Sequence, residues 1–375
     1  MAKDIYKKLA KHLDNLPGGF PSTKSGVELR ILRRLFTPDE AELALHLSLI
    51  PEEPQVIARR AKITPEEAPR RLEEMAKKGL IYRIESEDYP TKYMTAQYAI
   101  GIWEFHVNDL NPELIRDMEE YLPTLLNPDI WKKAPQLRTI PVGQSIPVKL
   151  EVMPYEKAEE LINSQEKFLV APCICRRERK MVGEGCDKPE EACLVFGRGV
   201  DYYLRNGLGR LIDKKEALEI LEEADKAGLV LQPSNSQKIV NICCCCGCCC
   251  GVLRMVNRHP KPASIVSSAF EASSNPETCE GCGICVDRCQ MEALRIENDR
   301  VVLDVDRCIG CGLCVSTCPS GTLTLVRRPE SEQPEVPRSF REALVNLARV
   351  RGKLKRINIA KIRLKSKVSR LLAEK

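Results

Sequence analysis

The sequence predicts an α+β protein of several domains, and three observations lead to this prediction. Apolar residues recur at helical spacing through the first third of the chain. Further on, short apolar runs bounded by turn residues predict strands. Cysteines then recur twice at the spacing C-x2-C-x2-C-x3-C between Cys279 and Cys318. A chain of 375 residues, of which 43% are hydrophobic, is long enough for about two to four domains.

Helix signals dominate the stretch from Val27 to Ile84. Thr37-Pro38 is typical of an N-cap followed by proline at the first helical position, and Thr64-Pro65 repeats the signal. Gly79 is placed to end the second of these helices, and the run from Leu80 to Ile84 predicts a strand. This order of elements resembles the winged-helix DNA-binding fold, which implies that Leu80 to Ile84 is the first wing strand.

A DNA-reading role would place the helix from Pro65 to Lys78 in the major groove. Its four positive side chains are matched by four glutamates, and such a balance is poor for neutralising phosphates. We therefore favour docking or structural support for this domain and keep DNA binding as the alternative.

The middle of the chain is rich in cysteine. A helix from Pro154 to Lys167 and a short buried strand from Phe168 to Ala171 lead to a first group of four thiols, which can bind one cluster or one zinc ion. A second group has seven thiols in eight positions with Gly247 at a bend, and this density indicates a multinuclear metal site. One or two further iron–sulfur clusters, or one unusual site drawing on both groups, fit this block. The candidate metal ligands are Cys173, Cys175, Cys186, Cys193, Cys243, Cys244, Cys245, Cys246, Cys248, Cys249 and Cys250.

The repeated spacing near the C-terminus fits cubane clusters, because four thiolates at this spacing can ligate one [4Fe-4S] cluster. Over about 50 residues it resembles the bacterial two-cluster ferredoxins. The resemblance implies two [4Fe-4S] clusters whose ligands cross between the runs: Cys279, Cys282, Cys285 and Cys318 for the first, and Cys308, Cys311, Cys314 and Cys289 for the second. Pro319 follows the last cysteine as in the family, but Gln290 stands at the matching place of the first run. A pair of zinc knuckles is the alternative interpretation.

Composition narrows the function classes. Nineteen cysteines without a secretion signal indicate metal ligation in a reducing compartment, so we expect a cytoplasmic protein. No stretch approaches the roughly 18 to 20 apolar residues that cross a bilayer. Walker A, dinucleotide-binding and nucleophile-elbow motifs are missing, so we assign no catalytic residue. This pattern favours an electron carrier or an oxidoreductase subunit over a stand-alone enzyme.

The C-terminal tail carries the basic character of the chain. From Arg338 to Lys375 there are 13 Lys and Arg residues against 2 Glu. Apolar residues at helical spacing predict one or two basic amphipathic helices. We consider three uses for them: an acidic partner surface, peripheral contact with an anionic membrane, and packing on the acidic remainder of this protein. The apolar positions are Leu344, Leu347, Val350, Leu354, Ile357, Ile362, Leu364, Val368, Leu371 and Leu372.

The general layout is similar to that of cytoplasmic multi-cluster ferredoxin-like proteins of anaerobes. We predict a winged-helix-like domain at 1–100, a connector at 101–153, a cysteine-rich α/β domain at 154–265, a two-cluster ferredoxin-type domain at 270–328, and a linker with a basic helical tail at 329–375. The predicted function is transfer of single electrons through [4Fe-4S] clusters to or from a redox partner. The rival hypotheses are a redox-sensing winged-helix regulator and an electron-transfer subunit of a reductase whose active site lies in the middle cysteine block.

Overall fold

A computed structural model describes residues 4–85, 88–354 and 359–373, except for side chains at 359–361 and 372–373. The chain forms two compact units. The first comprises Met1–Leu125, Asp201–Leu208 and Val345–Lys375, and the second comprises Leu126–Val200 and Gly209–Leu344. The second unit thus contains both the middle cysteines and the repeated cysteine motif. Our finer division into five segments stays a prediction.

The structure is mixed helix and sheet. The helices are α1 (Ile5–Asp14), α2 (Val27–Leu35), α3 (Pro38–Ala44), α4 (Pro54–Ala61), α5 (Glu67–Lys77), α6 (Trp103–Phe105), α7 (Pro112–Leu125), α8 (Pro128–Lys133), α9 (Ala158–Asn163), α10 (Ile174–Met181), α11 (Arg198–Arg205), α12 (Lys214–Lys226), α13 (Gly251–Arg258), α14 (Ile284–Arg288), α15 (Phe340–Val350) and α16 (Ile359–Ala373). The strands are β1 (Ile81–Ile84), β2 (Lys92–Thr95), β3 (Phe168–Pro172), β4 (Glu191–Phe196), β5 (Arg210–Ile212), β6 (Val230–Pro233), β7 (Asn241–Cys245), β8 (Phe270–Ser274), β9 (Leu294–Glu297), β10 (Arg300–Leu303) and β11 (Leu323–Arg327).

The first unit is a helical body with one small hairpin. Thr37 forms a capping box with Glu40 at the start of α3, which stabilises the first turn. Strands β1 and β2 pair antiparallel, and Glu52 adds an isolated bridge to Tyr93 of β2. Helix α5 begins two residues after the predicted Pro65, although Thr64 still accepts a hydrogen bond from the Glu67 amide.

A five-stranded sheet in the order β5-β3-β4-β7-β6 organises the second unit, and every pairing in it is antiparallel. Helix α12 packs against this sheet, and its buried Ala217, Leu221 and Ala224 belong to the core. Two smaller antiparallel pairs belong to the region of the repeated cysteine motif. Strands β8 and β11 pair with each other and flank the motif in sequence, and β9 and β10 form a pair between its two cysteine runs.

The connector predicted at 101–153 contains helices as well as extended backbone. Helix α7 continues through Pro123 to Leu125, and α8 follows because Asn127 caps it and Pro128 occupies its first position. Extended backbone begins only beyond α8, where Leu137 and Ile140 form isolated bridges to the end of the sheet near β6.

Two helices, α15 and α16, lie in the described residues of the tail. Within the first unit, α16 packs on α4, and Arg351 and Lys353 pair with Asp14. The predicted apolar position Ile357 lies outside the described residues. No helix in the described part of the chain is long and apolar enough to span a membrane.

Candidate metal centres

Two cavities lie inside the repeated cysteine motif, and each is lined by four cysteines taken from both runs. The first measures about 310 Å³ and is lined by Cys279, Cys282, Cys285 and Cys318. The second measures about 400 Å³ and is lined by Cys289, Cys308, Cys311 and Cys314. The structure therefore brings together the two sets that the ferredoxin resemblance implies, and it leaves space between the thiols of each set.

Backbone amides point at the sulfur atoms of this motif. The amide of Ala272 donates to Cys308 Sγ at 3.3 Å, and that of Ala293 donates to Cys289 Sγ at 3.2 Å. Close wrapping of the backbone requires glycine at Gly310, where φ is +70° and a Cβ would lie 2.1 Å from the carbonyl oxygen of Phe270. Such donors stabilise anionic thiolates, so the donor set fits an iron–sulfur cluster.

The two cavities differ in exposure. Cys282 beside the first cavity is exposed, whereas Cys308 and Cys314 beside the second are buried. Burial raises the pKa of Cys311 to about 12 and that of Cys314 well above its ordinary value. These thiols deprotonate readily only when a metal replaces the proton.

The middle cysteines separate into two groups and one outlier. The four-thiol group consists of Cys186, Cys246, Cys248 and Cys249, whose sulfur atoms all lie within 4.8 Å of one another. Cys186 comes from the loop between α10 and β4, and the other three come from the turn between β7 and α13. Sulfur–sulfur distances are 3.8 Å from Cys186 to Cys246 and 3.7 Å from Cys186 to Cys249.

A second set of sulfur atoms forms a six-thiol row, in which each member hydrogen-bonds to the next. The order is Cys193, Cys243, Cys245, Cys250, Cys175 and Cys173. The sheet places these thiols together. Antiparallel pairing sets Cys193 of β4 opposite Cys243 of β7, and the chain passes from the end of β3 through Cys173 into α10, which contains Cys175.

Hydrogen bonds along the six-thiol row lower the pKa of one thiol and raise that of the next. Bonds from Cys193 and Cys245 hold the pKa of Cys243 well below its ordinary value, and bonds from Cys175 and Cys245 do the same for Cys250. The pKa values of Cys175 and Cys245 move well above the ordinary value through the same bonds. The row thus favours thiolates, the form that binds metals, at every second position.

Cys244 is the outlier, although sequence placed it among the candidate ligands. It is fully buried in the hydrophobic core, opposite Leu231 in the register of β7 and β6. Successive residues of a strand point to opposite faces, so Cys244 points away from Cys243 and Cys245. Burial raises its pKa to about 12. The period-two alternation of β7 was the sequence signal that could have separated it.

Two polar side chains contact the four-thiol group or its turn. Arg176 is 2% exposed, donates to the carbonyl oxygens of Pro189 and Cys244, and also hydrogen-bonds to Cys246. Its Nε has no hydrogen-bond partner within the described ranges. The second is Gln290, which contacts the turn of the four-thiol group through Gly247, and this contact was not predicted from the sequence. Its place where ferredoxins have proline was the available signal.

A protein-family model described as a 4Fe-4S dicluster domain matches residues 271–319. No curated protein and no solved structure matches the chain significantly. The family match covers the repeated cysteine motif and its two cavities, and it supports a ferredoxin-like iron–sulfur module there. The module and the cysteine group in the middle together suggest iron–sulfur electron transfer.

Proposed function

We propose that this protein transfers single electrons between redox partners by means of two [4Fe-4S] clusters in residues 271–319. The observation that carries the proposal is the pair of cavities, each lined by four cysteines drawn from both runs of the motif. When bound, such clusters supply one-electron chemistry at potentials of roughly −700 to +450 mV. The chain contributes the ligands, the amide donors and the exclusion of water.

The exposed side of the first cavity is the proposed contact with a redox partner. Cys282 is exposed there, exposed Ile284 and Glu280 line the same cavity, and exposed Glu277 and Asp287 each lie five positions from Cys282 in the sequence. A partner with a basic rim around an apolar centre would complement this surface. Reduction rates by such a partner should fall as ionic strength rises.

A further iron–sulfur cluster is proposed for the six-thiol row. Two of its members, Cys245 and Cys250, are buried, and the others are partly exposed. Cys173 and Cys250 stand at the N-caps of α10 and α13, where helix dipoles favour negative charge. The side chains of Asn241 and Gln232 also point at sulfur atoms of the row.

For the first unit we propose a winged-helix-like fold. The order α3, Glu52 bridge, α4, α5, β1, β2 supports it, because the bridge supplies the short third strand beside the hairpin. On α5, Arg70 pairs with Glu74 and Arg71 with Glu67, so these cations are already neutralised within the helix. This favours a docking or structural role over DNA binding, and the ion pairs of Arg351 and Lys353 with Asp14 support packing of the tail on the chain itself.

Oxygen-free purification with iron and acid-labile sulfide quantitation tests the proposal. We expect at least about eight irons and eight sulfides per chain, with reversible reduction seen by electron paramagnetic resonance. Cys318→Ser should perturb the cluster of the Cys279 run and spare that of the Cys308 run, since ligands cross between the runs. A colourless protein with zinc in both cavities contradicts the proposal, and salt-dependent binding to DNA at low salt favours the regulator hypothesis.

A further inference from the structure

The four-thiol group differs from the ferredoxin-type cysteines in how closely its sulfur atoms approach. The sulfur atoms of Cys248 and Cys249 are 3.7 Å apart, and all four sulfur atoms of the group lie within 4.8 Å of one another. The ferredoxin-type thiols instead surround cavities of about 310 and 400 Å³. The ferredoxin-type thiols thus leave space between them, whereas the four-thiol group brings its sulfur atoms close together.

Sulfur spacing indicates what each arrangement can bind. A tetrahedral ion with metal–sulfur bonds of about 2.3 Å requires sulfur atoms about 3.8 Å apart. Three of the six sulfur–sulfur distances in the four-thiol group are 3.7 to 3.8 Å and agree with this value, and all six are within 4.8 Å. A cubane spreads its four ligands around a core of iron and sulfide and needs an intervening void.

We infer that Cys186, Cys246, Cys248 and Cys249 bind a single tetrahedral metal ion, Zn²⁺ or Fe²⁺, and not a cluster. In the described part of the chain, only this group has its sulfur atoms mutually within 4.8 Å. Four thiolates around a divalent ion leave a net charge of −2. The buried guanidinium of Arg176, bonded to Cys246, offsets part of it.

The position of the site gives the ion a structural task. The ion joins the loop before β4 to the turn after β7, two segments that sequence separates widely. That turn contacts the first cysteine run of the ferredoxin-like module through Gly247 and Gln290. With zinc the site would be redox-inert and hold the turn; with iron it could also give up one electron to a redox partner, Fe²⁺ becoming Fe³⁺, and take one back.

Metal and sulfide counts of the full chain distinguish one ion from a cluster. We compare the wild-type chain, Cys186→Ser/Cys249→Ser, and Cys244→Ala as the matched control, all purified without oxygen. The double variant should lose one metal ion per chain and no labile sulfide, while the control retains both. Loss of about four irons together with four sulfides would show a cubane, and unchanged metal content would show that no ion binds there; either result overturns the inference.

Retention of the ferredoxin-type iron and of its paramagnetic signal shows whether the variants fold. If the double variant does not fold, Cys248→Ser replaces it, because the Cys248 side chain is exposed. X-ray absorption of the full chain at the zinc edge, or for iron the difference between the wild-type and Cys248→Ser spectra, should give sulfur at about 2.3 Å without a metal–metal contact. The proposed electron transfer is tested separately, since it depends on the ferredoxin-type iron and this inference does not.

Discussion

The side-chain oxygen of Gln290 accepts a hydrogen bond from the backbone amide of Gly247, with 2.7 Å between the two atoms. Gln290 follows Cys289 of the ferredoxin-like module, and Gly247 lies between Cys246 and Cys248 of the four-thiol group. The bond therefore joins a ferredoxin-type ligand segment to a middle ligand segment. Proline, which the ferredoxin family has at this place, offers no side-chain acceptor for that amide.

Gln290→Ala should loosen the four-thiol group while it leaves the ferredoxin-type iron in place. Loss of one hydrogen bond of about 1 kcal/mol should speed release of the middle ion to a chelator by roughly fivefold. Gln290→Pro should behave similarly. Gln165→Ala, two residues after the end of α9, is the control. Equal release rates in all variants would contradict a role for this bond.

Gly247→Ala should destabilise the second unit. A Cβ at this position would lie 2.6 Å from the carbonyl oxygen of Gln290, so backbone atoms of one segment must move. Overpacking of this kind typically costs about 1–3 kcal/mol. Gly143→Ala is the matched control, because its nearest neighbour would be Glu159 at 3.5 Å. Denaturant unfolding of the loaded chain measures the difference, and similar midpoints would refute the close approach.

Arg176→Met should destabilise the loaded protein by about 3 kcal/mol. The change leaves two carbonyl oxygens without their donor and removes the buried cation beside Cys246. Arg177→Met should cost under about 1 kcal/mol, because Arg177 pairs with Glu190 where both side chains are about a third exposed. Arg176→Lys should restore part of the loss by returning the charge. Equal effects of the two methionine variants would contradict this account.

His12 should make the first unit less stable as the pH falls below neutrality. Burial, with the nearby positive charges of His46 and Lys365, lowers the pKa of His12 from 6.5 to about 4. Between pH 6.5 and about pH 4, His12 is protonated in the unfolded chain but neutral in the folded chain. The free energy of unfolding therefore falls by about 1.4 kcal/mol for each pH unit by which the pH is lowered in this range.

Hydrogen exchange of the first unit measures this effect in the full chain. When the pH is lowered from 7.5 to 5, protonation of His12 in the unfolded chain should lower the free energy of unfolding by about 2 kcal/mol. His12→Asn should lose that part of the pH dependence. The same dependence in both proteins would show that His12 is not the titrating group.

The local parts of the fold were predictable from sequence, and the long-range partners of the cysteines were not. Thr37 caps its helix as the sequence predicted, because capping involves residues three apart. Cys186 was grouped with Cys173, Cys175 and Cys193 by proximity along the chain. The pairing of β3, β4 and β7 instead sets Cys193 opposite Cys243 and leaves Cys186 near the following turn.

The repeated motif was easier to interpret for a physical reason. Ligands within one C-x2-C-x2-C run are held together by local backbone curvature, so their spacing is itself the signal. Gln290 shows the limit of this approach. Its departure from proline was visible in the sequence, but its partner Gly247 lies 43 positions away and becomes its neighbour only in the folded chain.

The register of strand β7 determines which cysteines of the run face other thiols. Alternate residues face opposite sides of the sheet, so Cys243 and Cys245 contact other thiols while Cys244 is sealed in apolar surroundings. A shift of the strand by one residue would turn Cys244 toward the other thiols and would bury Cys243 and Cys245 in the apolar core. The number of cysteines could then stay the same while the capacity to bind metal is lost.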